Sequence, residues 1–123
     1  MLGGNLTLIC NMIGTALHPQ LADKILFIED VNEKGYHVHR HLMHMKNAKL
    51  LEAVKAVIFG DFTESDKYLL QSIESFVDEH LPTIPVYKTT GIGHGDKNYP
   101  VTIGGMAKIT SNKLAVSSPF RLT

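Results

Sequence analysis

The run Ile25-Leu26-Phe27-Ile28 closes on two adjacent carboxylates, Glu29-Asp30, before Val31. A continuous apolar stretch this short, rich in β-prone residues, reads as a strand buried on both faces. The stretch Val54-Lys55-Ala56-Val57-Ile58-Phe59, ended by Gly60-Asp61, reads as a second buried strand. Glu29 therefore stands at the end of a core strand, where a carboxylate can be aimed at a partner. Asp30 points to the other side of that strand and is expected to serve the turn that follows.

The rest of the chain supplies helices and turns around these two runs. Gly3-Gly4-Asn5 starts a helix, with Asn5 as its cap and Leu6, Ile9, Cys10 and Ile13 on one face. Gly14 ends it, and a loop with His18-Pro19 leads to Lys24. After a polar turn through Asn32, Glu33, Lys34 and Gly35, a helix over residues 36–46 places Val38, Leu42 and Met45 on one side. Ser65 or Asp66 caps a third helix whose apolar stripe is Leu69, Leu70, Ile73, Phe76 and Val77. Pro82 ends that helix, and residues 84–87 form a strand that Pro85 assigns to an edge or an entry position. Val101-Thr102-Ile103 is a short strand, and residues 106–110 and 113–117 pair as a hairpin across Ser111-Asn112. The expected architecture is a single compact α/β domain over residues 1–123, with a mixed sheet and a small terminal β meander. Strand order does not follow from the pattern.

Twelve basic and twelve acidic side chains cancel, which argues against nucleic acid as the main ligand. The apolar start has no basic residue before Lys24 and is broken by Asn5, Thr7 and Asn11, so it reads neither as a secretion signal nor as a membrane span. It looks like a helix from the middle of a protein, as in a domain cut from a longer chain. The one cysteine, Cys10, lies among Leu8, Ile9 and Met12 and reads as a buried, inert thiol.

A partner for Glu29 is offered by Gly91-Ile92-Gly93-His94-Gly95-Asp96. Glycines on both sides of one histidine let the backbone approach another surface closely. An imidazole there can act as a base, and a carboxylate at its ring nitrogen fixes the tautomer and steadies the imidazolium. If paired, Glu29 and His94 would be two-thirds of a nucleophile-base-acid relay; the residues alone also allow a strand-end acid that faces solvent or accepts amides of the following turn, and a plain loop histidine. No nucleophile stands out: Ser65 reads as a cap, Ser72 and Ser75 lie on a helix, and Ser111, Ser117 and Ser118 lie in or near the hairpin. A phosphate loop and a dinucleotide fingerprint are also absent.

The histidines 37, 39, 41 and 44 form a cluster in which His37, His41 and His44 share one helical face. Such a face can bind zinc, but the usual carboxylate or cysteine companions are missing, and a wet helix face is the preferred reading. Arg40 in the same helix is expected to pair with a carboxylate of the preceding turn, where Glu33 reads as a solvated turn residue.

Taken together, these stretches resemble the C-terminal domain of the LD-carboxypeptidase family of serine peptidases, which includes murein tetrapeptide carboxypeptidases and microcin self-immunity proteins. The matching residues are Gly3-Gly4-Asn5-Leu6 with Gly14-Thr15, the run from Ile25 to Val31, and Tyr36 with Arg40 and Leu42. Ile58-Phe59-Gly60-Asp61-Phe62, Ile84-Pro85-Val86, Gly93-His94 and Ile103-Gly104-Gly105-Met106-Ala107 continue the match. The resemblance implies a swivelling β/β/α-like fold and a Ser-His-Glu triad, with Glu29 as the acid and His94 as the base. It implies hydrolysis of the bond before a terminal D-alanine in murein tetrapeptide, without metal or organic cofactor, in a cytoplasmic and commonly dimeric enzyme. Its serine would lie in an N-terminal nucleophile domain, so the chain alone is expected to be inactive. The other readings are a domain kept for binding or self-association, and a microcin-type hydrolase.

Overall fold

The computed structural model describes residues 1–111 and 113–117. The turn position Asn112, Ser118 and the tail beyond it lie outside the described residues. Four strands, β1 (Leu2–Asn5), β2 (Ile25–Val31), β3 (Ala56–Thr63) and β4 (Val86–Gly93), form one sheet in the order β1-β2-β3-β4. All three pairings are parallel. The expected mixed sheet is therefore corrected to a purely parallel one, with antiparallel pairing confined to a separate hairpin, β5 (Ala107–Thr110) and β6 (Lys113–Val116). Residues 101–103, expected as a strand, are not one, so the terminal meander reduces to this hairpin.

Helices α1 (Leu6–Met12), α2 (Gly35–Asn47) and α3 (Leu69–His80) make the three crossovers. Strand order advances by one at each crossover, and right-handed connections then put every helix on the same face. The side-chain alternation of β2 agrees. Leu26 and Ile28 join Val57 and Phe59 in a core with Leu6, Val38, Leu42, Met45 and Phe76 from the helices. Phe27 and Ile58 face the other way, in a smaller core with Met1 and partly buried Ile109, Leu114 and Val116 of the hairpin. Burial of both faces of β2 thus comes from helices on one side and the hairpin on the other.

β1 was not expected from the residues, because two of its four positions are glycine. Gly3 is required there: at φ +145° its Cα packs on the Phe27 backbone, and an added Cβ would overlap the Phe27 carbonyl. The Asn5 side chain does cap α1, accepting the Leu8 N–H at 3.0 Å. α3 starts later than expected, at Leu69, with no side-chain cap on its first turn. Asp66 instead accepts the amides of Gly35 and Tyr68, each at 3.1 Å. Only Phe76 of the expected α3 stripe is fully buried, and Leu70 is exposed.

Candidate active site

Parallel strands end on one edge of the sheet, and in open α/β sheets that carboxyl edge is where sites form. Here it gathers Asn5, Glu29, Thr63 and, just past β4, His94. Glu29 follows Phe27 onto the hairpin side of β2, and its side chain is 8% exposed. Asp30 turns to the helix side.

The structure brings Glu29 and His94 together. His94 Nδ1 and Glu29 Oε2 are 2.5 Å apart, across 65 residues of sequence. This contact suits the neutral ring carrying its proton on Nδ1, with the carboxylate accepting. Nε2 is then the nitrogen available as a base. The imidazole is half-exposed, at 48%, and lines a cavity of about 630 Å³ with Asp61, Thr63, Thr90, Gly91 and Lys97 among its walls.

Register irregularities aim the two groups at each other. Between β2 and β3, Ile28 pairs with Phe59 but Asp30 with Phe62, a bulge of one residue in β3 beside Glu29. Between β3 and β4, Phe59 pairs with Lys88 but Asp61 with Gly93, so β4 takes five steps where β3 takes two. The surplus arches out before the chain returns at Gly93. There φ is +128°, and a Cβ would stand 2.8 Å from the Asp61 carbonyl oxygen and 3.1 Å from Glu29 Cβ. Glycine at 93 is what lets the backbone pass over the glutamate. The Thr63 hydroxyl then donates to the His94 carbonyl at 3.2 Å.

The other candidates fall elsewhere. Asp30, expected to serve the following turn, is buried at 3% exposure and binds the start of α1. It accepts from Asn5 Nδ2 at 2.7 Å, the Thr7 hydroxyl at 2.8 Å and the Thr7 amide at 3.0 Å. The correction has a simple cause: β1 lies beside β2 and delivers the α1 N-terminus to the Asp30 side chain. Glu33, expected to be solvated, is instead bonded to His37 Nδ1 at 2.9 Å. Arg40 makes no carboxylate pair among the described residues; its guanidinium lies 5.8 Å from the Tyr36 ring centroid. His41 contacts the Thr7 hydroxyl at 3.5 Å, and burial lowers its pKa from the ordinary value. No group of three His, Cys, Asp or Glu among the described residues is disposed to hold a metal ion.

Among the described residues, neither serine nor cysteine lines the His94 cavity. Ser65 donates to the Glu33 carbonyl at 2.6 Å, and Cys10 is buried in the helix-side core with its Sγ donating to the His41 carbonyl. Burial raises the Cys10 pKa to about 11. Asp61 and Thr63 were missed as site residues from the sequence. Their one signal was a polar pair at the end of a buried strand, in the stretch Gly60-Asp61-Phe62-Thr63.

Comparison with known proteins places this geometry in context. The model of the LD-carboxypeptidase C-terminal domain matches residues 1–109. A relative from Rickettsia conorii is 40% identical over 111 residues, which are 90% of this chain and 35% of its own length. The murein tetrapeptide carboxypeptidase of Pseudomonas aeruginosa is 33% identical over 119 residues, 93% of this chain and 38% of that protein. Among solved structures, the muramoyltetrapeptide carboxypeptidase of Oxalobacter formigenes superposes with a TM-score of 0.78 at 30% identity, over 96% of this chain and 41% of that one. The chain thus spans little more than a third of the length of the curated relatives it matches.

Proposed function

The chain belongs to the LD-carboxypeptidase C-terminal domain family, and from that premise we propose that it supplies the base and the acid of a serine peptidase whose nucleophile comes from an N-terminal domain of a longer polypeptide. The observation that carries this reading is the contact between His94 Nδ1 and Glu29 Oε2. A buried acid holds the ring, and the half-exposed imidazole lines a cavity that no serine or cysteine lines among the described residues.

In this mechanism His94 Nε2 takes the proton of the incoming serine hydroxyl as its oxygen attacks the scissile carbonyl. Glu29 stabilises the imidazolium that results. The proton then passes to the amine of the departing D-alanine, and water repeats the sequence to release the acyl group. The proposed substrate is murein tetrapeptide, cleaved before its terminal D-residue. Support comes from the names of the Pseudomonas and Oxalobacter proteins, both tetrapeptide carboxypeptidases. Their greater length leaves room for a nucleophile domain. The same reading assigns the enzyme to cytoplasmic murein recycling as a homodimer. No helix among the described residues is long and apolar enough to cross a membrane.

The test is a D-alanine release assay on murein tetrapeptide, comparing this chain with the longer polypeptide proposed to contain it, and with a microcin-like acyl nucleotide as competing substrate. Release by the longer polypeptide and none by the chain alone is the expected result. Release by the chain alone would overturn the division of the triad, and preference for the acyl nucleotide would overturn the substrate.

A further inference from the structure

His94 sits after an arch in β4 that leaves the sheet after Lys88 and rejoins it at Gly93, so contacts beyond the strand pairing must fix the shape of the arch. Asp61 occupies the point of return. Its backbone pairs with Gly93, and its carboxylate Oδ2 accepts the Gly91 N–H at 2.8 Å inside the arch. The same oxygen lies against the chain beyond the histidine, where a Cβ added at Gly95 would stand 2.8 Å from it. One half-buried carboxylate therefore bonds the backbone before His94 and fills the space that a side chain at Gly95 would need. Gly91 has φ +77°, which glycine adopts without strain, and a Cβ there would stand 2.9 Å from the Tyr99 ring. From the far side, Asn98 Oδ1 accepts the Gly93 amide at 3.3 Å, and the Tyr99 amide donates to the Gly91 carbonyl at 2.7 Å.

We propose that Asp61 is a positioning residue for the base: by accepting the Gly91 amide and filling the space beside Gly95, it holds the His94 ring with Nδ1 on Glu29. The inference rests on the reading of His94 as the base. Asp61 takes no part in proton transfer; it acts through the arch.

The experiment reads the ring itself. Imidazole ¹⁵N shifts of His94 in this chain report which nitrogen carries the proton. In Asp61→Ala the ratio of Nδ1–H to Nε2–H tautomer is expected to fall on the order of fivefold, the equivalent of one lost hydrogen bond. Asp61→Asn retains an acceptor oxygen and is expected to restore most of that ratio. Gly95→Ala reaches the same end with Asp61 retained, since its methyl would displace the carboxylate, and it covers the case in which Asp61→Ala does not fold. Loss in each of the disruptive variants Asp61→Ala and Gly95→Ala that folds, with recovery in Asp61→Asn, supports the proposal. A wild-type tautomer ratio in either disruptive variant, or an Asn variant as impaired as the Ala variant, overturns it. Because the readout is the tautomer and not turnover, a negative result here is separate from failure of the catalytic reading, which is decided by the activity of Glu29 and His94 variants.

Discussion

Glu29 and Asp30 are neighbours with opposite tasks, and the alternation of a strand is the whole reason. Glu29 faces the hairpin side and meets His94, while Asp30 faces the helices and ties down the first turn of α1. A carboxylate surrounded by amide and hydroxyl donors is stabilised as an acceptor, which suits Asp30 to structure and leaves Glu29 for the role proposed above. Cys10 shows what burial beside a carboxylate does to an ionisable group. Its thiol is held to about 11, from 9.0, first by desolvation and then by the charge of Asp30. The unfolded chain loses that proton from about pH 9, whereas the folded chain keeps it until about pH 11. The native state then binds more protons than the unfolded one, so stability falls as pH rises through this window. Urea midpoints between pH 8 and 11 are expected to drop more steeply for the wild type than for Cys10→Ala, because only the wild type carries this titration. Parallel curves would contradict it.

At the scale of elements, the least expected strand is the one that brings the start of α1 to Asp30. β1 carries two glycines in four residues, and propensity argues against a strand there. It forms because Gly3 can lie flat against the Phe27 backbone, and its pairing with β2 places the start of α1 over Asp30. Gly3→Ala is therefore expected to destabilise the domain by more than about 3 kcal/mol, since the methyl forces β1 off β2. Gly4→Ala meets nothing within 4 Å and suffers only the strain of φ +147°, an expected cost of about 1–2 kcal/mol. Chemical denaturation of the two variants checks the contrast, and equal losses would show that β1 is not held by that close approach. The same scale explains which elements could be read in advance. β2, α2 and β3 announce themselves by apolar runs and period, whereas the arch in β4 depends on which β3 residue it returns to, a long-range choice that no local pattern encodes.

Across the whole molecule, the helix-sheet-hairpin layering puts an acid from the second strand and a base from beyond the fourth on one edge. The sequence supplied good grounds for each partner separately: a carboxylate ending a buried strand, and a histidine between turn glycines. It could not supply their meeting, because strand order decides it, and order depends on crossovers rather than on composition. The central claim is that the pair is the acid and base of a triad completed elsewhere in a longer polypeptide. Its most direct test is kcat for D-alanine release from murein tetrapeptide by that polypeptide carrying Glu29→Gln or His94→Ala. The account predicts a fall on the order of 10³–10⁴-fold in each, with the double variant little worse than the His94 variant alone, as expected of residues that act as a unit. Near-wild-type turnover in either single variant would contradict it.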